Sequence, residues 1–338
     1  MPDPEFTSVP GAQGPTPEVP QRSRLRPVFI GAQGVRAGWR LLIFILLLVG
    51  LSAAVSPLTR RVAGKLGGDF SPRNVIIGEV IAFGILLLTT VIVGRFEHRS
   101  LAEYGLPFRL MLRKQFWTGA LWGFVMLSFI VAMMAATHAY SPGGLALSAP
   151  AIVQYGLLWA LGFLMVGFFE EFAMRGYLQF TLTSGLGFWP ATAITCTLFA
   201  LAHRHNPGEN WMGVVEIVLI ALFLCVALRR TGNLWFAIGW HMSFDWGESF
   251  FYSTPNSGIQ AKGHLLNASL MGSKWLSGGT VGPEASIFDL IVTIAGILLL
   301  AKLYPEAKYP APQPATPLSP VAEAQIEAAP PAAPGQSD

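Results

Sequence analysis

Three groups of ionisable residues lie in stretches of chain that are otherwise apolar. Phe168-Phe169-Glu170-Glu171-Phe172-Ala173-Met174-Arg175 interrupts one run, Phe199-Ala200-Leu201-Ala202-His203 ends a second, and His241-Met242-Ser243-Phe244-Asp245 occupies a third, with Glu248 one turn on. On a helix, Glu171 and Arg175 are four residues apart and share a face, so they can pair. Glu170 points about 100° away from Glu171 and is free to face a cavity. His241 and Asp245 also share a face, an arrangement suited to a metal, a polarised water or a substrate oxygen. A carboxylate and two imidazoles around a wet cavity suit hydrolysis. Glu170 would act as general base on water. His203 and His241 would either hold a metal that acidifies that water or donate hydrogen bonds to an oxyanion. If a metal is used, Glu170, His203, His241 and Asp245 form the ligand set, for one divalent ion such as zinc. No G-x-S-x-G or H-E-x-x-H motif is present, and His-Met-Ser-Phe-Asp lacks the second helix-spaced histidine of a zincin. Plainer roles also exist. Glu171 and Arg175 would serve as a helix-holding ion pair, Arg204 and His205 as interfacial residues, and Glu216 stands alone in its run.

These residues need elements that carry charge through an apolar medium. Charged residues make up only 12% of the 338-residue chain against 52% apolar, about half the charge of a typical soluble protein. That excludes a soluble globule and a wholly disordered chain. A net charge of +3 does not suggest a nucleic-acid binder. Two cysteines, Cys196 and Cys225, both in apolar runs, exclude a disulfide framework and a Cys-based zinc site. The fold class that follows is an all-α polytopic membrane protein of about eight transmembrane helices enclosing an intramembrane cavity. The spans run over Leu41–Val55, Val75–Gly94, Phe116–Thr137, Ile152–Leu182, Trp189–Ala202, Trp211–Leu228, Asn233–Phe250 and Ile287–Leu303. Counting helical rise from the ends of these spans places Glu170 roughly 18 Å, His203 roughly 21 Å and His241 roughly 12 Å into the membrane, levels close enough to converge.

The membrane-embedded domain is expected over residues 41–303. Residues 1–40, basic and rich in Pro and Gly, and residues 304–338, rich in Pro and Ala, read as disordered tails. With the N-terminus inside, fifteen Lys and Arg fall on the inner side and seven on the outer. This favours both termini in the cytoplasm, and the tails and lack of eukaryotic targeting signals suggest a bacterial inner membrane. Within this scheme Arg22–Arg40 sets topology rather than binding anionic lipid. The 36-residue connection from Phe251 to Ser286 is long for a loop and is a candidate cap over the cavity mouth.

Glu170-Glu171-x-x-x-Arg175, Phe199-x-x-x-His203 and His241-x-x-x-Asp245, in this order and each on its own apolar span, resemble the three motifs of the CaaX-protease and bacteriocin-processing family of intramembrane endopeptidases. This family contains the Ras-converting CaaX endopeptidase. The resemblance covers about Tyr155–Glu248, and the Gly278–Glu284 loop also looks like bacterial members. It implies an eight-helix endopeptidase with a cavity open to membrane and cytoplasm. In it, Glu170 is the general base, His203 holds or activates the water, His241 occupies the oxyanion position, and Glu171 and Arg175 support them. The family is called metalloprotease, and a metal-free, Glu-activated water has also been argued. Asp245 stands where the best-known members have Asn. Asn donates to an oxyanion, whereas an ionised Asp repels one but can ligate a metal.

The implied partners are membrane lipids and a peptide or protein substrate, with or without a lipid anchor. Two readings from other classes use the same residues. One is a non-catalytic membrane scaffold or immunity protein on the same fold. The other is a proton-coupled transporter with Glu170, His203 and His241 as relay, and the chain shows no inverted repeat of the kind such transporters carry.

Overall fold

The computed structural model describes residues 26–31, 34–66 and 69–310. Most of both expected tails, residues 1–25 and 311–338, lies outside the described residues. The described part of the C-terminal stretch packs rather than trails. The Lys308 and Tyr309 amides bond to the Arg229 carbonyl at 2.8 and 3.0 Å, and the Tyr309 ring is buried.

Among the described residues, nine α-helices of ten residues or more build the fold: α1 (Ala37–Leu66), α2 (Pro72–Phe96), α3 (Lys114–Ala136), α4 (Ala149–Arg175), α5 (Tyr177–Leu186), α6 (Phe188–His203), α7 (Trp211–Thr231), α8 (Trp235–Trp246) and α9 (Ile287–Leu303). Local chemistry sets their ends. Ser71-Pro72 and Ser148-Ala149-Pro150 place proline in the first turn of α2 and α4, where its missing N–H costs nothing. Asn210 caps α7 by accepting from the Met212 and Gly213 amides, and Ser286 caps α9 through the Asp289 amide. Gly232, at φ 85°, closes α7.

Of the eight expected spans, the structure supports five by length and composition. Five helical stretches are long and apolar enough to cross a bilayer: α1 (to Gly64), α2, α3, the α4–α5 stretch Ala149–Leu186, and α7. Helices α6, α8 and α9 have 16, 12 and 17 residues. At helical rise they reach roughly 24, 18 and 25 Å, short of a core about 30 Å thick. The fourth segment also differs from expectation, because it breaks at Gly176 into α4 and α5. A Cβ at this position would collide with the Phe172 carbonyl and ring, so the break takes only glycine. The depth count for Glu170 from Leu182 therefore does not follow one straight helix.

Helix α8 is the centre of the bundle, with Trp235–His241 all buried. It packs against α3 on one side and α4 on another. Gly119-x-x-x-Gly123 on α3 meets Gly239 on α8. A Cβ at Gly119 or Gly123 would strike the Phe236 or Trp240 carbonyl, and one at Gly239 the Phe116 carbonyl. Small residues here let two backbones touch, the usual device for helix association in lipid, where apolar burial supplies no drive. Gly167 on α4 makes the second close approach, 3.1 Å from Cβ position to the Ile238 carbonyl.

A polar hub lies at the far end of α2. Glu97 accepts from Arg40 Nε at 2.9 Å, Tyr104 OH at 3.0 Å and Tyr177 OH at 2.5 Å. It joins α1, α2, the connection to α3 and the first residue of α5, next to the Gly176 break. The Phe251–Ser286 connection is ordered. Tyr140–Ser141 pairs antiparallel with Ser269–Leu270 within it, and it contributes a wall of the cavity described next.

Candidate active site

The three motifs meet. Helix α4 brings Glu170, Glu171 and Arg175, α6 brings His203, and α8 brings His241 and Asp245. Glu170, His203, His241 and Asp245 line one cavity of about 230 Å³. Glu171 and Arg175 lie behind it, 0% and 1% exposed.

The arrangement has two layers. In the buried layer, Arg175 Nη1 pairs with Glu171 Oε1 at 3.1 Å, and its Nη2 donates to the Ala221 carbonyl of α7 at 3.2 Å. The guanidinium lies 4.7 Å from the centroid of the Phe199 ring, so Phe199 of the second motif is a seat for the cation of the first. Glu171 Oε1 also sits 2.8 Å from His241 Nδ1. With the proton assigned to Nδ1, this bond fixes the ring's orientation and turns Nε2 to the cavity. Glu171 thus makes the ion pair with Arg175 and also contacts the His241 ring.

In the cavity layer, His241 Nε2 is 3.5 Å from Glu170 Oε2 and 3.5 Å from Asp245 Oδ2. His203 Nε2 is 3.9 Å from Glu170 Oε2, while its Nδ1 lies 2.9 Å from the Phe199 carbonyl one turn back. Separations of 3.5 to 3.9 Å exceed a direct hydrogen bond of about 2.6–3.2 Å and leave space for a small bridging molecule. Glu170 is 24% exposed and His203 19%, so both reach the cavity while held by their helices.

Glu170, His203, His241 and Asp245, the residues that would hold a metal, share the cavity without forming a compact donor group as the side chains stand. Among the described residues, no group of three or more His, Cys, Asp or Glu could hold a metal ion. His241 has its Nδ1 held by Glu171 at 2.8 Å and its Nε2 turned to the cavity, an orientation that would suit ligation or hydrogen bonding through Nε2.

Two cavity residues escaped the motif reading. Glu79 of α2 lines the cavity, and its signal was there, as the lone charge between Val75 and Gly94. Glu284 enters from the Gly278–Glu284 loop and accepts from the Ser257 backbone amide. Asn256 and Ser257 of the same connection complete that wall, as expected of a cap. Glu216, by contrast, is fully buried in α7 with both carboxyl oxygens unpartnered and does not line the cavity.

Residues 152–247 match the family model for type II CAAX prenyl endopeptidase Rce1-like proteins. The match takes in every motif residue named above. No curated protein matches the chain. The matched region carries the polar layers and two of the five long apolar stretches, and the other three, α1, α2 and α3, precede it. The chain is therefore an integral membrane protein whose residues 152–247 are similar to the type II CAAX prenyl endopeptidase Rce1-like family.

Proposed function

We propose that the chain is an intramembrane endopeptidase of the CaaX type that hydrolyses a peptide bond of a membrane-associated peptide or protein. The observation that carries this reading is the position of Glu170 Oε2, 3.5 and 3.9 Å from the Nε2 atoms of two histidines on different helices, inside one small cavity.

The step follows from the side chains. A water bridging Glu170 and His203 gives its proton to Glu170 Oε2 as its oxygen attacks the carbonyl carbon. The carbonyl π electrons move to oxygen. His241, as imidazolium, keeps Nδ1–H on Glu171 and donates Nε2–H to that oxyanion. Asp245, on the other side of Nε2, holds the ring in this position. As the C–N bond breaks, Glu170 returns its proton to the leaving nitrogen. The new carboxyl group and amine leave, and Glu170 is again a carboxylate.

An apolar groove of about 500 Å³ between α1 and α2 is lined by Leu48, Ile77, Ile81 and Ile85 and reaches Phe169, the residue before Glu170. It supports a lipid-anchored substrate. The Lys and Arg distribution supports both termini in the cytoplasm, and the composition a bacterial inner membrane.

Comparison of protein termini in cells carrying the wild-type chain or Glu170→Gln tests the activity. Termini that form only with wild type support it. Identical profiles at matched expression refute it.

A further inference from the structure

The cavity walls are unbalanced in charge. Glu79, Glu170, Asp245 and Glu284 share the lining with two imidazoles, and among the described residues no lysine or arginine lines the cavity. Even with both rings protonated, the carboxyl groups outnumber the cations. Of the four, Glu79 has no work in the hydrolytic step. It enters from α2, outside the matched region, beside Phe70, Val75, Phe163 and Val166. Its Oε2 atom is buried and has no hydrogen-bond partner. A buried carboxylate oxygen without a partner is costly and needs a reason. These apolar residues line the same cavity and offer surface of the kind that takes the methylene stem of a long side chain whose charged head goes to the carboxylate. The cavity, at about 230 Å³, is smaller than a common small-molecule site of about 300–1,000 Å³. It suits one peptide bond and one side chain.

We propose that Glu79, with Glu284 lining the same cavity, selects substrates that carry a cationic group, a lysine or arginine side chain or a free amine, next to the scissile bond. The inference rests on the endopeptidase reading and deepens it, since a peptide with a free carboxylate at that place meets only like charge. Glu79 acts as a specificity determinant and not on the reacting atoms.

The test uses the full chain in lipid nanodiscs and three pools of quenched decapeptides. Each pool is randomised except at one fixed central residue, which is lysine, norleucine or glutamate, and cleavage sites are read by mass spectrometry. A fourth pool carries an acetylated lysine, and a fifth places a free N-terminal amine near the centre of a shortened peptide. The two cation sources thereby separate. Wild type is expected to cleave the lysine pool about tenfold or more faster than the norleucine pool, with glutamate slowest. Glu79→Gln is expected to bring the lysine-to-norleucine ratio toward one, mainly through KM, while Glu79→Asp retains part of it. Size-exclusion elution of each variant reports folding. Equal cleavage of all pools by wild type, or an unchanged ratio in Glu79→Gln, overturns the proposal and leaves the protease reading intact. If wild type cleaves nothing, the protease reading fails by itself, and binding of the fluorescein-labelled lysine pool decides the proposal. Tighter binding to wild type than to Glu79→Gln, by about tenfold, upholds the cation site, and equal binding overturns it.

Discussion

Removing one member of the Glu171–Arg175 pair should cost far more than removing both. The two side chains are buried at 0% and 1% exposure and 3.1 Å apart. Arg175→Met leaves the Glu171 carboxylate with His241 as its remaining partner, and Glu171→Gln leaves the guanidinium charge uncompensated. Each loss is worth about 3–5 kcal/mol, because the remaining charge stays buried. If the sites were independent, the double variant would lose about 6–10 kcal/mol. Instead both charges vanish together. What is then lost is the Arg175 hydrogen bond to the Ala221 carbonyl, about 0.5–1.5 kcal/mol, and the contact with Phe199, about 0.5–2 kcal/mol. The double variant should therefore lie only about 1–3.5 kcal/mol below wild type, a coupling of at least about 2.5 kcal/mol. SDS titration in mixed micelles, followed by tryptophan fluorescence, measures all four proteins. A double variant as unstable as the sum of the singles would show that the two residues do not act as a charge pair, and the argument for Arg175 as the anchor of Glu171 would fall.

Other consequences can be checked separately. At Glu97, burial favours the neutral acid, but hydrogen bonds from Arg40, Tyr177 and Tyr104 and the Arg40 charge outweigh it and hold the carboxyl below the ordinary glutamate range. A depressed carboxyl stabilises the fold above about pH 4.3 and loses that contribution as pH falls through its lower folded value. Stability of Glu97→Gln should thus be lower at pH 7 and flatter below about pH 5, and a Glu97→Gln curve parallel to wild type down to acid pH would contradict the hub. Gly123→Ala forces a methyl against the Trp240 carbonyl and Ser243. It should cost about 1–3 kcal/mol and reduce hydrolysis by displacing His241, whereas Gly84→Ala, with open space around it, should change neither. Equal effects of the two alanines on unfolding would remove the close-crossing argument. Treatment with 1,10-phenanthroline should leave hydrolysis at the untreated rate. Loss reversed by added zinc would show that the donors close on a metal when one is supplied.

The site was more legible in the sequence than the fold around it. Glu170, Glu171, Arg175, His203, His241 and Asp245 stood out because charge in apolar helix is rare enough to be conspicuous, and helical spacing alone placed Glu171 with Arg175 and His241 with Asp245. The link from Glu171 to His241 spans 70 residues, and no local period reports it. Glu79 carried a local signal, a lone charge in an apolar run, but without a motif around it nothing tied it to the cavity. The span count was harder to read for another reason. Hydropathy measures how apolar a segment is, and α8 is apolar because protein surrounds it, not because lipid does. Similarly, the break at Gly176 depends on a collision with the Phe172 carbonyl, a three-dimensional fact that the apolar run Ile152–Leu182 conceals.

The burial of α8 also decides what the bilayer can do to this molecule. A helix that touches lipid along its length tilts or shifts when membrane thickness changes. Helix α1, with Leu42, Ile43, Leu46 and Val49 exposed, is open to that pull. Helix α8 has protein on all sides over Trp235–His241 and is locked to α3 by backbone contact at glycine. His241 and Asp245 thus ride on a segment whose depth is set by its neighbours. The outer helices can follow lipids of different chain length while the distance from His241 to Glu170 and Glu171 stays as the inner packing sets it.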